Sequence, residues 1–126
     1  MGVLICADSW YNTAYDNLNS QKADFVVVPS YTAGDGSMAK LWAGYSGATT
    51  PVEAKADIGR ITEQEAWLKY AMSTRIKTQT NIKKGINVFL RGNLWDLGTD
   101  GSTVVVQDSA VVTKNINSGA LVNLWL

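Results

Sequence analysis

Two short apolar runs constrain this chain more than any other feature. They are Val3-Leu4-Ile5-Cys6 and Phe25-Val26-Val27-Val28, and one helix's worth of chain lies between them. The first is predicted to be a strand, with β-branched Val3 and Ile5. The second is continuous rather than alternating, as in a strand covered on both faces, and Pro29 is expected to end it. Asn12 is the predicted N-cap of a helix over Thr13–Ser20, whose inner face carries Ala14, Tyr15 and Leu18. Strand, helix and strand at this spacing make a βαβ unit with parallel, neighbouring strands and a right-handed crossover. Both strands then end at one edge of the sheet, and a single crevice is expected there, lined by Cys6, Trp10, Ser30 and Tyr31.

Cys6 is the chain's only cysteine. Open α/β sheets hold their working groups at strand-to-helix turns, where side chains leave the core. A thiol in that position is placed to act as a nucleophile, and the amides that follow it, starting with Ala7, are placed to bind an oxyanion. The alternative is that Cys6 is a small buried hydrophobe. Trp10 and Tyr31 likewise serve a pocket or the core equally well.

Composition narrows the chemistry. At 126 residues the chain is expected to be one domain, residues 1–126, and 46% hydrophobic against 17% charged residues supports a packed core. Eleven basic and eleven acidic residues cancel, with no basic block beyond Lys83-Lys84, which argues against nucleic-acid binding. No apolar run approaches the ~20 residues of a membrane helix. The start has no basic leader and meets Asp8 early, unlike a secretory signal. One cysteine allows no internal disulfide, so a cytoplasmic location is expected. There is no histidine, which removes Ser-His-Asp and Cys-His systems and histidine-ligated zinc, and one cysteine builds no thiolate metal cluster. An activated Cys6 would need a carboxylate or lysine as its base, or a base from elsewhere.

Further on, Ser37–Tyr45 is read as a short helix with Met38, Leu41, Trp42 and Tyr45 on one stripe. Residues 46–61 form a long excursion, either a functional lid or an insertion without a role. Thr62-Glu63-Gln64-Glu65 is a capping box. It opens a predicted long helix from Glu63 to Lys83, with Leu68, Met72, Ile76 and Gln79 on one stripe and Gly85 as its C-terminal stop. Strands are expected at Ile86–Leu90, Ser102–Gln107, Val111–Thr113 and Ala120–Leu126. Consecutive strands of this kind call for an antiparallel edge.

Several of these pieces together resemble the carbon–nitrogen hydrolase (nitrilase/amidase) superfamily. They are G-V-L-I-C-A-D-S-W-Y around Cys6, A-D-F-V-V-V-P-S at Ala23–Ser30, the helix with Trp67 and Arg75, N-V-F-L-R-G-N at Asn87–Asn93, and G-S-T-V-V-V-Q-D at Gly101–Asp108. They stand in the family's order and correspond to the C-terminal half of a member. The resemblance implies an α/β fold, a nitrilase-like αββα sandwich, of which this chain would form a partial sheet with helices. It also implies a cysteine nucleophile, a glutamate base and a lysine that stabilises the tetrahedral intermediate, acting on a small-molecule amide or nitrile with no metal or organic cofactor. By position, Cys6 would be the nucleophile and the Ala7 amide an oxyanion donor. Ser30 and Tyr31 would be pocket wall, and Asn93 would lie near the site.

The sequence departs from the family in two ways. The family's glutamate and lysine lie upstream of the cysteine block, and this sequence starts five residues before Cys6. Glu53, Glu63, Glu65, Lys40 and Lys55 all lie downstream and match no catalytic motif, and Asn12-Thr13 stands where members commonly carry proline-glutamate. A thiol without those partners loses most of its transition-state stabilisation. The expectation is therefore a hydrolase portion that is weak or inactive alone, and that forms a homo-oligomer or joins a missing N-terminal half to cover its exposed sheet. The alternatives are a catalytically dead nitrilase-like binding or scaffold module, and an unrelated α/β domain with Cys6 in its core.

Overall fold

The computed structural model describes residues 1–34, 36–92, 95–108 and 110–114. Strand β1 is brief, Gly2–Val3, and β2 spans Phe25–Ser30. Helix α1 between them covers Asn12–Ser20. Three short helical pieces follow, a 3₁₀ turn at Ser37–Ala39, α2 at Val52–Lys55 and α3 at Glu63–Tyr70. Then come α4 at Met72–Arg75, a 3₁₀ turn at Ile76–Thr78, and strands β3 (Lys84–Phe89), β4 (Thr103–Gln107) and β5 (Ala110–Lys114). The five strands make one sheet in the order β1-β2-β3-β4-β5. β1, β2 and β3 run parallel, while β4 and β5 are antiparallel to their neighbours. The chain is thus mixed α/β, with the βαβ start and the antiparallel edge that the sequence predicts. The strand expected at Ala120–Leu126 lies outside the described residues.

Register assigns the two faces of the sheet. Gly2, Val26, Gly85 and Val106 form one cross-strand row, and all four are buried. Tyr15 of α1, together with Met72 and Ile76, packs on that side against Val26, Val28, Val104 and Val106. Gly85 is required there: a Cβ would stand 2.5 Å from Ile76 Cδ1 and 2.8 Å from Val26 Cγ1. The opposite row is Val3, Val27, Ile86, Val105 and Val112, apolar from edge to edge. Its two ends, Val3 and Val112, are 52% and 51% exposed, while Val27 and Ile86 are half-buried and Val105 is buried.

Four expectations are corrected. Pro29 does not end β2; the strand runs on to Ser30. Val27 O accepts from the Leu4 amide on the β1 side, so the nitrogen of Pro29, two residues on, faces the same side. β1 has already left the sheet by that point, so the missing donor costs no ladder bond. Asn12 does not cap α1: Tyr11 takes that place, and Asn12 Oδ1 accepts from Arg75 Nη1 at 3.0 Å. The expected helix over Ser37–Tyr45 shrinks to the Ser37–Ala39 turn, and Leu41 is 63% exposed while it bridges to Thr62. The long helix breaks at Ala71, whose φ/ψ of −92°/−153° is extended. Ser73 Oγ and Thr74 Oγ1 both donate to Leu68 O, and Arg75 Nε donates to Tyr70 O. Side chains thereby take the carbonyls that a continuing helix would use. Lys84 and Gly85 then belong to β3. The capping box itself forms as read, with the Glu65 amide on Thr62 Oγ1 (3.2 Å) and the Thr62 amide on Glu65 Oε2 (2.7 Å).

Candidate functional site

β1 is too short to carry Cys6, so the chain leaves the sheet before the thiol is reached. Cys6 opens a 3₁₀ helix, Cys6–Trp10, with a φ of +46°. That is the left-handed region, which a side chain enters at a cost of roughly 1–2 kcal/mol. A lattice of hydrogen bonds holds it there. The Asp8 amide donates to Ile5 O, and the Ile5 amide to Asp8 Oδ2. Ser9 Oγ donates to Cys6 O at 2.7 Å, and Tyr15 Oη to Ser9 O at 3.0 Å. Ser9 and Tyr15 are fully buried, and burial pushes the Tyr15 hydroxyl well above the usual phenol range despite Arg75 nearby. Strain of this kind persists only where the surroundings impose it, and it concentrates at functional sites.

The turn presents Cys6 to a cavity of about 240 Å³. Cys6, Ala7, Trp10, Tyr11, Tyr31 and Glu63 line it, together with Trp67 and the 44–46 stretch of the excursion. Cys6 is half-buried, and its Sγ donates to Tyr31 O at 3.6 Å. The Ala7 amide meets no backbone acceptor among the described residues. Of the side chains expected to share a crevice, Cys6, Trp10 and Tyr31 do so. Ser30 does not line the cavity. Its position in β2 turns it to the helix-covered face, where its buried hydroxyl donates to Asn87 Oδ1 at 2.7 Å. Asn93 lies outside the described residues.

The walls are aromatic. Trp10 meets Trp67 edge to face at 5.0 Å and Tyr45 at 5.1 Å, and Tyr11 meets Tyr45 at 5.7 Å. Trp10 also stacks on Trp42, and Trp67 meets Phe89. These rings belong to a second buried cluster, separate from the one on the sheet. The 46–61 excursion helps to build that cluster: Ala54 is fully buried in it, and Tyr11 Oη donates to Ser46 O. Asp57 fixes the same segment to α3 through Lys69 Nζ and Tyr70 Oη, and these bonds hold its carboxyl below the usual range.

Glu63 is the member that sequence reasoning passed over. It stands at the first position of α3, half-buried, and its Oε1 accepts from Trp67 Nε1 at 3.1 Å. Burial pushes its carboxyl above the usual range, opposed in part by that indole bond. The only local signal was an acid one helical turn ahead of a tryptophan. Nothing nearby in sequence indicates that this turn meets Cys6. Among the described residues no cluster of metal-ligating side chains occurs. Compared with family models, curated proteins and solved structures, the chain matches none.

Proposed function

We propose that this chain carries the nucleophile of a hydrolase that cleaves non-peptide carbon–nitrogen bonds, amide or nitrile, through a cysteine thioester. One observation carries the reading: Cys6 is held at a positive φ at the exit of a sheet strand and lines an aromatic cavity. A strained strand-to-helix turn lifts a nucleophile clear of the sheet. In the proposed reaction the Cys6 thiolate attacks the amide or nitrile carbon. The Ala7 amide donates to the developing anion. An amide then loses its nitrogen as ammonia or an amine to give the thioester, whereas a nitrile first gives a thioimidate, from which one water displaces ammonia to reach the same thioester; a further water releases the acid and the thiol.

The apolar row Val3, Val27, Ile86, Val105 and Val112, exposed at both of its ends, supports the second part of the proposal. A parallel sheet is ordinarily covered on both faces, and two sheets pack face to face across such rows. We propose that a second sheet, from another copy or from a missing N-terminal half, covers it and completes an αββα sandwich. That half would also bring the base and the lysine, since no lysine lines the cavity among the described residues. A binding module without catalysis is the second reading. The hydrogen bond from Cys6 Sγ to Tyr31 O favours it, because it directs the thiol's hydrogen at a backbone carbonyl rather than at a base.

Adduct formation separates the two, because it needs the nucleophile alone. Incubation with an activated aryl nitrile, followed by intact-protein mass spectrometry, is expected to show one adduct, on Cys6 and absent from Cys6→Ala. An unmodified wild-type chain would contradict the hydrolase reading.

A further inference from the structure

We infer that the Cys6 cavity selects a substrate bearing an organic cation, such as an alkylammonium group, close to the carbon that the thiol attacks. This rests on the hydrolase reading and names its substrate class. Five aromatic side chains, Trp10, Tyr11, Tyr31, Tyr45 and Trp67, line a space of about 240 Å³. Edge-to-face contacts fix four of these rings, Trp10, Tyr11, Tyr45 and Trp67, and Tyr31 Oη donates to Gly98 O at 3.1 Å, before any ligand arrives. Glu63 is the one charged side chain on the wall among the described residues. Its Oε1 is committed to Trp67 Nε1, and its Oε2 has no protein partner among them.

A carboxylate beside aromatic faces attracts a cation twice, by its charge and through the ring quadrupoles, and the attraction grows as water is excluded. An anionic substrate would meet Glu63 and those same faces with no cationic side chain among the described lining residues to offset them. Arg75 does not line the space. Its three nitrogens are taken by Tyr70 O, Asn12 Oδ1 and the Tyr45 hydroxyl.

The test uses the whole chain and two probes of nearly equal shape, choline and its uncharged isostere 3,3-dimethyl-1-butanol. Binding is read by tryptophan fluorescence, since Trp10 and Trp67 line the space. Choline is expected to bind at least about fivefold tighter than the isostere. Glu63→Gln keeps an acceptor for Trp67 and is expected to reduce that preference to less than about twofold without lowering the thermal midpoint. Equal binding of the two probes by the wild type, a preference unchanged by Glu63→Gln, or no binding of either at tens of millimolar would overturn the inference. An adduct on Cys6 without the choline preference would sink this inference alone; the preference without an adduct would sink the hydrolase reading and with it the substrate role, leaving a cation-binding cavity.

Discussion

Cys6 takes a backbone conformation that suits glycine better than any residue with a side chain. Its φ of +46° is imposed by the Ile5–Asp8 and Ser9–Tyr15 hydrogen bonds around it, not by the thiol itself. Replacing the side chain should therefore reveal the strain. Cys6→Gly is expected to be more stable than Cys6→Ala by about 1 kcal/mol, because relief of the left-handed penalty outweighs glycine's extra chain entropy. Chemical denaturation of the two variants checks this; Cys6→Ala emerging as the more stable would show that the turn is relaxed. A residue that is strained and costly to keep, yet lines a cavity, is the pattern of a site that gives up stability for function.

At the scale of elements, β3 carries the tightest constraint. Gly85 lies under Ile76, Val26 and Met72, where a methyl group would come within 2.5–3.0 Å of all three. Gly85→Ala is expected to destabilise the fold by about 1–3 kcal/mol through overpacking, measured as a fall in the denaturation midpoint at unchanged slope. A neutral result would mean that α4 does not press on the sheet as described.

The same elements show what was legible in the sequence. The Thr62–Glu65 capping box and the βαβ start were readable because they depend on neighbours three residues apart and on the character of single runs. The stripe Leu68, Met72, Ile76 and Gln79 was readable in large part: the last three are buried and Leu68 is half-buried, even though the helix through them is broken. The break itself was not, because it comes from Ser73 and Thr74 competing for a carbonyl that either a helix or a turn can satisfy. In the candidate site, Cys6, Trp10 and Tyr31 were found because strand topology brings them to one edge. Glu63 and Trp67 were missed because their approach to Cys6 depends on how the excursion folds into an aromatic cluster. Ser30 was misplaced by one face, a distinction that rests on where β2 starts to alternate.

As a whole, the sheet has one face covered by described helices and another whose outer strands expose apolar side chains. α1, α4 and the following turn cover one side of the sheet, while on or beside the other side Val3, Val112, Val88 and Leu90 are exposed, although Val105 between them is buried. No described helix is long and apolar enough to cross a membrane, so a bilayer-spanning helix does not account for that surface. The purified chain is expected to run as a dimer or larger in size-exclusion chromatography with light scattering, and Val3→Lys with Val88→Lys is expected to shift it toward monomer. A wild-type chain that is a stable, non-aggregating monomer would contradict the second-sheet proposal.

The central claim, that Cys6 is an open thiol in a working cavity, is tested most directly by the rate of its alkylation with iodoacetamide in the native state, compared with the same chain in denaturant. The account predicts native labelling within about tenfold of the denatured rate, as expected for a partly exposed thiol. Labelling that appears only on unfolding would contradict it.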